Sequence, residues 1–94
     1  MTVQEKIHEY LSVHRDEMVE DIKTLIKVDS ARAEALPGKP YGEGAAEALH
    51  AGLSLFEKHG FLGKNWDNYA IDTVINGKEL GLDILAHLDV VPGG

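Results

Sequence analysis

The sequence predicts an α/β fold in which two to three helices precede a β-hairpin that is part of a larger mixed sheet. In the first half of the chain, apolar residues recur at steps of three and four, as on one face of a helix. In the second half, short runs rich in apolar, β-branched and aromatic residues follow one another, as in strands. With 94 residues, the chain has room for one small domain at most.

The first helical segment carries one apolar stripe with charged residues between its members. The stripe consists of Ile7, Leu11, His14, Met18, Ile22 and Leu25. Because His14 interrupts it, either two helices meet near residues 12–15 or one helix carries a partly buried histidine. The pattern favours the break. Residues 31–44 contain two prolines and three glycines, which predicts a loop.

A further helix is predicted from about residue 44 to residue 59. Its buried stripe consists of Ala46, Leu49, Leu53 and Phe56. Gly60 is well placed as the left-handed residue that ends the helix, because glycine adopts that conformation without steric penalty. Residues 61–66 are predicted as a short strand.

A β-hairpin is predicted after this strand. Residues 69–75 form its first strand, Asn76-Gly77 its turn and residues 80–88 its return strand. The return strand is apolar on both faces, so both faces need to be covered by neighbours. Since the rest of the chain offers few such neighbours, we expect residues 1–94 to be the incomplete N-terminal portion of a larger α/β domain.

Composition narrows the functional classes. A net charge of -7 without a basic run disfavours nucleic-acid binding. The apolar runs are too short to cross a membrane, and the charged N-terminus does not resemble a signal peptide. The sequence contains no cysteine, which fits a cytoplasmic protein. Any metal must therefore be bound by His, Asp or Glu.

The most informative residues for chemistry lie at the end of the predicted return strand. His87 and Asp89 are two residues apart, so on an extended strand they project to the same side. Pro92 cannot donate a ladder hydrogen bond and should end the strand. A neutral imidazole suits zinc, and a nearby carboxylate suits the task of orienting that imidazole. The residues alone leave open a strand-end histidine next to a capping aspartate.

Asp83 would lie on the same strand face as His87, where an apolar residue is expected. It is too far along the strand to share a metal with His87. We expect it at an exposed strand entrance, and a buried Asp83 would count against the strand register.

The run "ILAHLDVVPGG" resembles the first metal motif of the di-zinc exopeptidase and deacylase family, an apolar strand followed by H-x-D-x-V-P. That family includes carboxypeptidase G, acetylornithine deacetylase, succinyl-diaminopimelate desuccinylase and carnosinases. The segments "LIKVDS", "LPGKPYGEG" and "EKHGF" are similar to the family's upstream segments in the same order. "HLDVVPGG", "LIKVDS" and "NYA" most resemble the bacterial Xaa-His dipeptidases, and the resemblance spans the chain.

The resemblance implies a zinc-dependent hydrolase that cleaves the amide bond of a dipeptide or short N-acyl amino acid. It implies that His87 binds one zinc and that Asp89 takes a catalytic role by orienting the His87 imidazole. A complete site in the family holds two zinc ions, and its other ligands and its general base come later in the chain. We therefore expect this chain to be about the first fifth of such an enzyme and to be inactive alone.

A second interpretation belongs to another functional class. The chain would be a non-catalytic remnant or a small interaction module. Its open strand edges would then favour self-association, because unpaired edges are templates for pairing.

Overall fold

The structure is a computed structural model that describes residues 1–75, 77 and 81–91. Its first two elements are α1 (Val3–Val13) and α2 (Arg15–Ile26). The Thr2 hydroxyl accepts a hydrogen bond from the Glu5 amide and caps α1, since early helix amides lack partners within the helix. His14 lies between the two helices, with its ring 4.1 Å from that of Tyr10. The predicted break near residues 12–15 is thus confirmed.

The apolar stripe of the first segment is mostly solvent-exposed. Four of its members keep 44–55% of their surface accessible: Ile7, Leu11, Met18 and Ile22. Leu25 and His14 are half-buried. The periodicity predicted the helices correctly, but the described part of the chain supplies little that packs against this stripe.

α3 (Glu43–Lys58) is the centre of the fold and closely matches the helix predicted over residues 44–59. Its buried residues are small, namely Ala45, Ala46, Ala48 and Gly52. Of the predicted stripe, Ala46 is buried, whereas Leu49, Leu53 and Phe56 are only half-buried. Gly60 has φ 85°, as predicted for the residue that ends the helix.

The hairpin is formed by β1 (Gly63–Trp66) and β2 (Ala70–Thr73), paired antiparallel with Gly63 opposite Thr73. Its turn contains Asp67 and Asn68, both with positive φ. Asp and Asn tolerate this conformation better than most residues. The predicted strand over residues 61–66 is confirmed, as is the general order of helices followed by a hairpin.

The predicted position of the hairpin was wrong. The strand predicted over residues 69–75 contains β2, which pairs with the preceding β1, and the described residues 81–88 of the predicted return strand are not paired with it. Asn76 and Leu80 lie outside the described residues, so the predicted turn is only partly described. Residues 81–89 form no strand, and Leu82, Ile84 and Leu85 are 83–95% exposed rather than covered on both faces. Asp83 is also exposed, as expected.

The end of the described chain returns to the middle of the fold. Ala31 and Val90 form an isolated parallel β-bridge. Beside it, the buried Ser30 hydroxyl donates a 2.8 Å hydrogen bond to the Leu88 carbonyl. Pro92, Gly93 and Gly94 lie outside the described residues, so the predicted strand end at Pro92 is not described. No helix among the described residues is long and apolar enough to cross a membrane.

Candidate metal site around His87

The candidate site is built where residues 87–89 meet the loop after α2. Gly44, in the first turn of α3, approaches that loop so closely that a Cβ there would lie 1.9 Å from the Asp29 carbonyl oxygen. Gly52 leaves room on α3 for Ile71 and Leu88, whose side chains would lie 2.7 and 3.2 Å from a Cβ at that position. Two glycines of one helix therefore let both segments dock on it.

The structure brings His87 and Asp89 together. The His87 Nδ1 is 3.0 Å from the Asp89 backbone carbonyl and 3.5 Å from Oδ1 of its carboxylate. A carbonyl oxygen accepts only, so this geometry favours a proton on Nδ1. The lone pair of a neutral imidazole then lies on Nε2. The structure thus places Asp89 beside the His87 ring, with the Asp89 backbone carbonyl as the nearer partner.

Both side chains are open to solvent, with 84% of the His87 side chain and 61% of the Asp89 side chain accessible. They border a depression of about 210 Å³ that also contacts Ala48 and Leu49 of α3 and Tyr69 and Ile71 of the hairpin. Pockets for small molecules usually occupy about 300–1,000 Å³. The depression beside His87 and Asp89 is therefore smaller than a typical small-molecule pocket.

A second cluster of potential ligands lies elsewhere, where α2 meets the end of α3. Glu17, Asp21 and His59 place one ligand atom each within 4.8 Å of one another. The Asp21 carboxylate already accepts from Lys58 at 2.5 Å and faces His59 Nε2 at 2.7 Å. Because a lysine ammonium competes directly with a cation for this carboxylate, the cluster is better described as an ion-pair network than as a metal centre.

The charges of this network shift two pKa values. Hydrogen bonds from Lys58 and, next, from His59 lower the pKa of Asp21, since they stabilise the ionised carboxylate. The hydrogen bond to Asp21 likewise raises the pKa of Lys58. Helical spacing relates Glu17 to Asp21, but no sequence pattern indicates this cluster, because His59 is far along the chain. His8, His50 and His59 are all exposed.

Comparison with known proteins gives relatives that are named dipeptidases. The chain is 35% identical over 82 residues to the Bacillus subtilis protein named "Putative dipeptidase YtjP", which covers 85% of this chain and 18% of that protein. It is 32% identical over 88 residues to the Beta-Ala-Xaa dipeptidase of Lactobacillus delbrueckii subsp. lactis, covering 92% of this chain and 19% of the relative. A Staphylococcus epidermidis protein named "Putative dipeptidase" is 36% identical over 93 residues, 97% of this chain and 19% of its own.

No protein-family model and no solved structure matches the chain. The chain spans less than a fifth of the length of the curated relatives it matches, while those matches cover most of the chain itself. The resemblance indicated by the motifs is thereby confirmed: the chain fits an N-terminal fragment of a dipeptidase family.

Proposed function

We propose that the chain is a segment of a zinc-dependent dipeptidase, in which it supplies one zinc ligand and part of the substrate pocket. The substrate class would be a dipeptide or a short N-acyl amino acid, cleaved at its amide bond. Similarity to a Beta-Ala-Xaa dipeptidase and to other proteins named dipeptidases supports the reaction class. The cysteine-free sequence is compatible with the cytoplasmic location that we propose with it.

The contact between His87 and Asp89 is the observation that carries this proposal. A histidine that binds zinc through one ring nitrogen nearly always donates its other N–H to a carbonyl or carboxylate. The His87 Nδ1 is bonded to the Asp89 carbonyl and lies 3.5 Å from its carboxylate, and within the described residues Nε2 has no hydrogen-bond partner. These residues therefore fit zinc, which when bound would polarise the scissile carbonyl and acidify a water molecule.

The described residues supply only part of such a site. Catalytic zinc sites use about three protein ligands and keep one position for water. Among residues 1–75, 77 and 81–91, no group of three potential ligands includes His87. We therefore propose that the remaining ligands and the general base come from protein outside these residues, and that this chain alone does not hydrolyse dipeptides.

The proposal is tested by zinc-dependent hydrolysis of a β-alanyl dipeptide. A longer enzyme that contains this segment should lose at least about 100-fold of its activity with His87→Gln. His50→Gln, which changes an exposed histidine on α3, should keep it. The 94-residue chain with zinc should show no turnover. Turnover by this chain, or full activity of the His87 variant, would contradict the proposal.

The alternative remains a non-catalytic remnant or a self-associating module. It is favoured by the exposure of Leu82, Ile84 and Leu85 and by a sheet of two strands in the described part of the chain. Under this alternative, removal of His87 changes no activity in any longer protein, and association between copies of the chain becomes the measurable property.

A further inference from the structure

We propose that Ser30 is a positioning residue for His87. In this inference, the Ser30 hydroxyl holds the backbone of Leu88 and thereby sets the direction in which His87 and Asp89 project. Its importance for zinc binding rests on the proposed function, but the positioning itself does not.

The burial of Ser30 is the first observation behind this inference. Ser30 is 3% exposed and is the single buried polar residue in the described part of the chain. Its hydroxyl donates to the Leu88 carbonyl at 2.8 Å, across 58 positions of sequence. Removal of a buried hydroxyl that bonds a backbone carbonyl lowers stability, since the part-buried carbonyl loses its partner. The bond therefore ties two distant segments together.

The position of Leu88 between His87 and Asp89 gives the bond its consequence. Leu88 lies between His87 and Asp89, so a bond that holds its carbonyl restrains the backbone from which both flanking side chains project. The Leu88 side chain points toward Gly52 of α3. On the other side, the ring of His87 reaches the Asp89 carbonyl, the next peptide oxygen after the one held by Ser30.

The exposure of His87 makes such a backbone anchor necessary. With 84% of its side chain accessible, His87 has little packing that could hold its ring in place. Its orientation depends on the hydrogen bond to Asp89, and that bond depends on the conformation of the backbone over residues 87–89. The Ala31–Val90 bridge supports the same segment at the next residues, whereas the Leu88 carbonyl is held by the Ser30 hydroxyl.

The test follows the tautomer of His87 in the 94-residue chain by the ¹⁵N chemical shifts of its ring. At about pH 8.5, above the ordinary pKa of imidazole, the wild type should carry its proton on Nδ1. Ser30→Ala should lose this preference, and zinc affinity at His87 should fall about tenfold. Ser30→Thr keeps the hydroxyl and should retain the preference. Ser54→Ala removes a hydroxyl that bonds the His50 carbonyl on α3 and should change nothing at His87.

The possible results separate this inference from the proposed function. An unchanged His87 tautomer in a folded Ser30→Ala chain would overturn the positioning role. If Ser30→Ala loses its helical circular dichroism, Ser30→Thr decides, because a folded Ser30→Thr chain that retains the proton on Nδ1 supports the inference and one that loses it overturns the inference. If the tautomer changes as expected in Ser30→Ala but His87 of the wild type does not bind zinc, the result supports the role of Ser30 and counts against the zinc site.

Discussion

Gly44 shows at the scale of one residue how α3 and the loop after α2 fit together. A Cβ at Gly44 would lie 1.9 Å from the Asp29 carbonyl oxygen, a backbone atom that cannot rotate away. Gly44→Ala should therefore lower the free energy of unfolding by about 2 kcal/mol or more, as overpacked sites do. Urea unfolding followed by circular dichroism measures this change.

Gly81→Ala is the matched control for this substitution. A Cβ at Gly81 would meet nothing within 4 Å, so the free energy of unfolding should change by less than about 0.5 kcal/mol. Equal stability of both variants would mean that the approach of Asp29 to α3 does not exist in solution.

Asp21 gives the second prediction at this scale, a stability that depends on pH. Hydrogen bonds from Lys58 and His59 lower the pKa of Asp21 below 3.8, so its contribution is present above that value and disappears as pH falls through the folded-state pKa. The pKa of Lys58 is raised above 10.5, so the same ion pair also weakens as pH rises through that folded-state pKa.

Asp21→Asn should accordingly lower the melting temperature at neutral pH, and its difference from wild type should shrink at about pH 2 and in high salt. Scanning calorimetry across this range measures the difference. Asp67→Asn is the control, because it removes a carboxylate of the hairpin turn instead of the one bonded to Lys58. Its difference in melting temperature from wild type should not show this dependence on pH and salt. A constant difference between Asp21→Asn and wild type at all pH values would argue against the ion pair.

At the scale of elements, the hairpin depends on the conformation and contacts of Asn68. Asn68 has φ 61°, accepts from the Asn65 amide at 2.8 Å and donates to the Gly38 carbonyl at 2.9 Å. Asn68→Ala should destabilise the chain by about 2 kcal/mol, because it combines a left-handed backbone with lost hydrogen bonds. Urea unfolding checks this value.

Asn68→Gly separates the two contributions, since glycine adopts the left-handed conformation freely but makes no side-chain bonds. The free energy of unfolding of Asn68→Gly should lie between those of the wild type and Asn68→Ala. If both variants match the wild type, the turn does not depend on Asn68.

The elements also show what the sequence could predict and what it could not. The break near His14 and the bounds of α3 follow from local periodicity and from Gly60, which act within a few residues. The hairpin was misplaced because Asn76-Gly77 is a strong local signal. The turn at Asp67 and Asn68 is instead supported by contacts with residues distant in sequence, such as Gly38.

The same reasoning applies to the candidate site. The H-x-D motif pointed to His87 and Asp89, and the structure brings them into contact, although their roles remain predictions. The anchoring of Leu88 by Ser30 was not predictable, because no local pattern links positions 58 residues apart. The network of Asp21, Lys58 and His59 was missed for the same reason, since it depends on how α2 packs against α3.

At the scale of the whole molecule, the surface is large for the mass of the chain. The accessible surface is 8042 Å², whereas a compact protein of 10.3 kDa has roughly 5,400 Å². The radius of gyration is 15.6 Å, against about 12 Å for a compact chain of this length. The buried apolar residues of the described part are three alanines of α3. Much of the apolar surface therefore lacks a cover within the described residues.

This exposed surface predicts concentration-dependent self-association of the isolated chain. Leu85 is 95% exposed within the apolar run that includes Leu82 and Ile84, so Leu85→Lys should shift the equilibrium toward monomer. Leu62→Lys changes a leucine that is 91% exposed outside this run and should have the smaller effect. Analytical ultracentrifugation over a range of concentrations measures both. A wild type that stays monomeric throughout would contradict the prediction.

The most direct measurement of the central claim is a zinc titration of the 94-residue chain, read at the ring nitrogens of all five histidines by ¹⁵N chemical shift. The account predicts weak binding with the largest change at Nε2 of His87, lost in His87→Gln and kept in His50→Gln. A largest change at His59, within the network of Glu17 and Asp21, or no difference between His87 and the exposed His8 and His50, would contradict the assignment of His87 as the metal ligand.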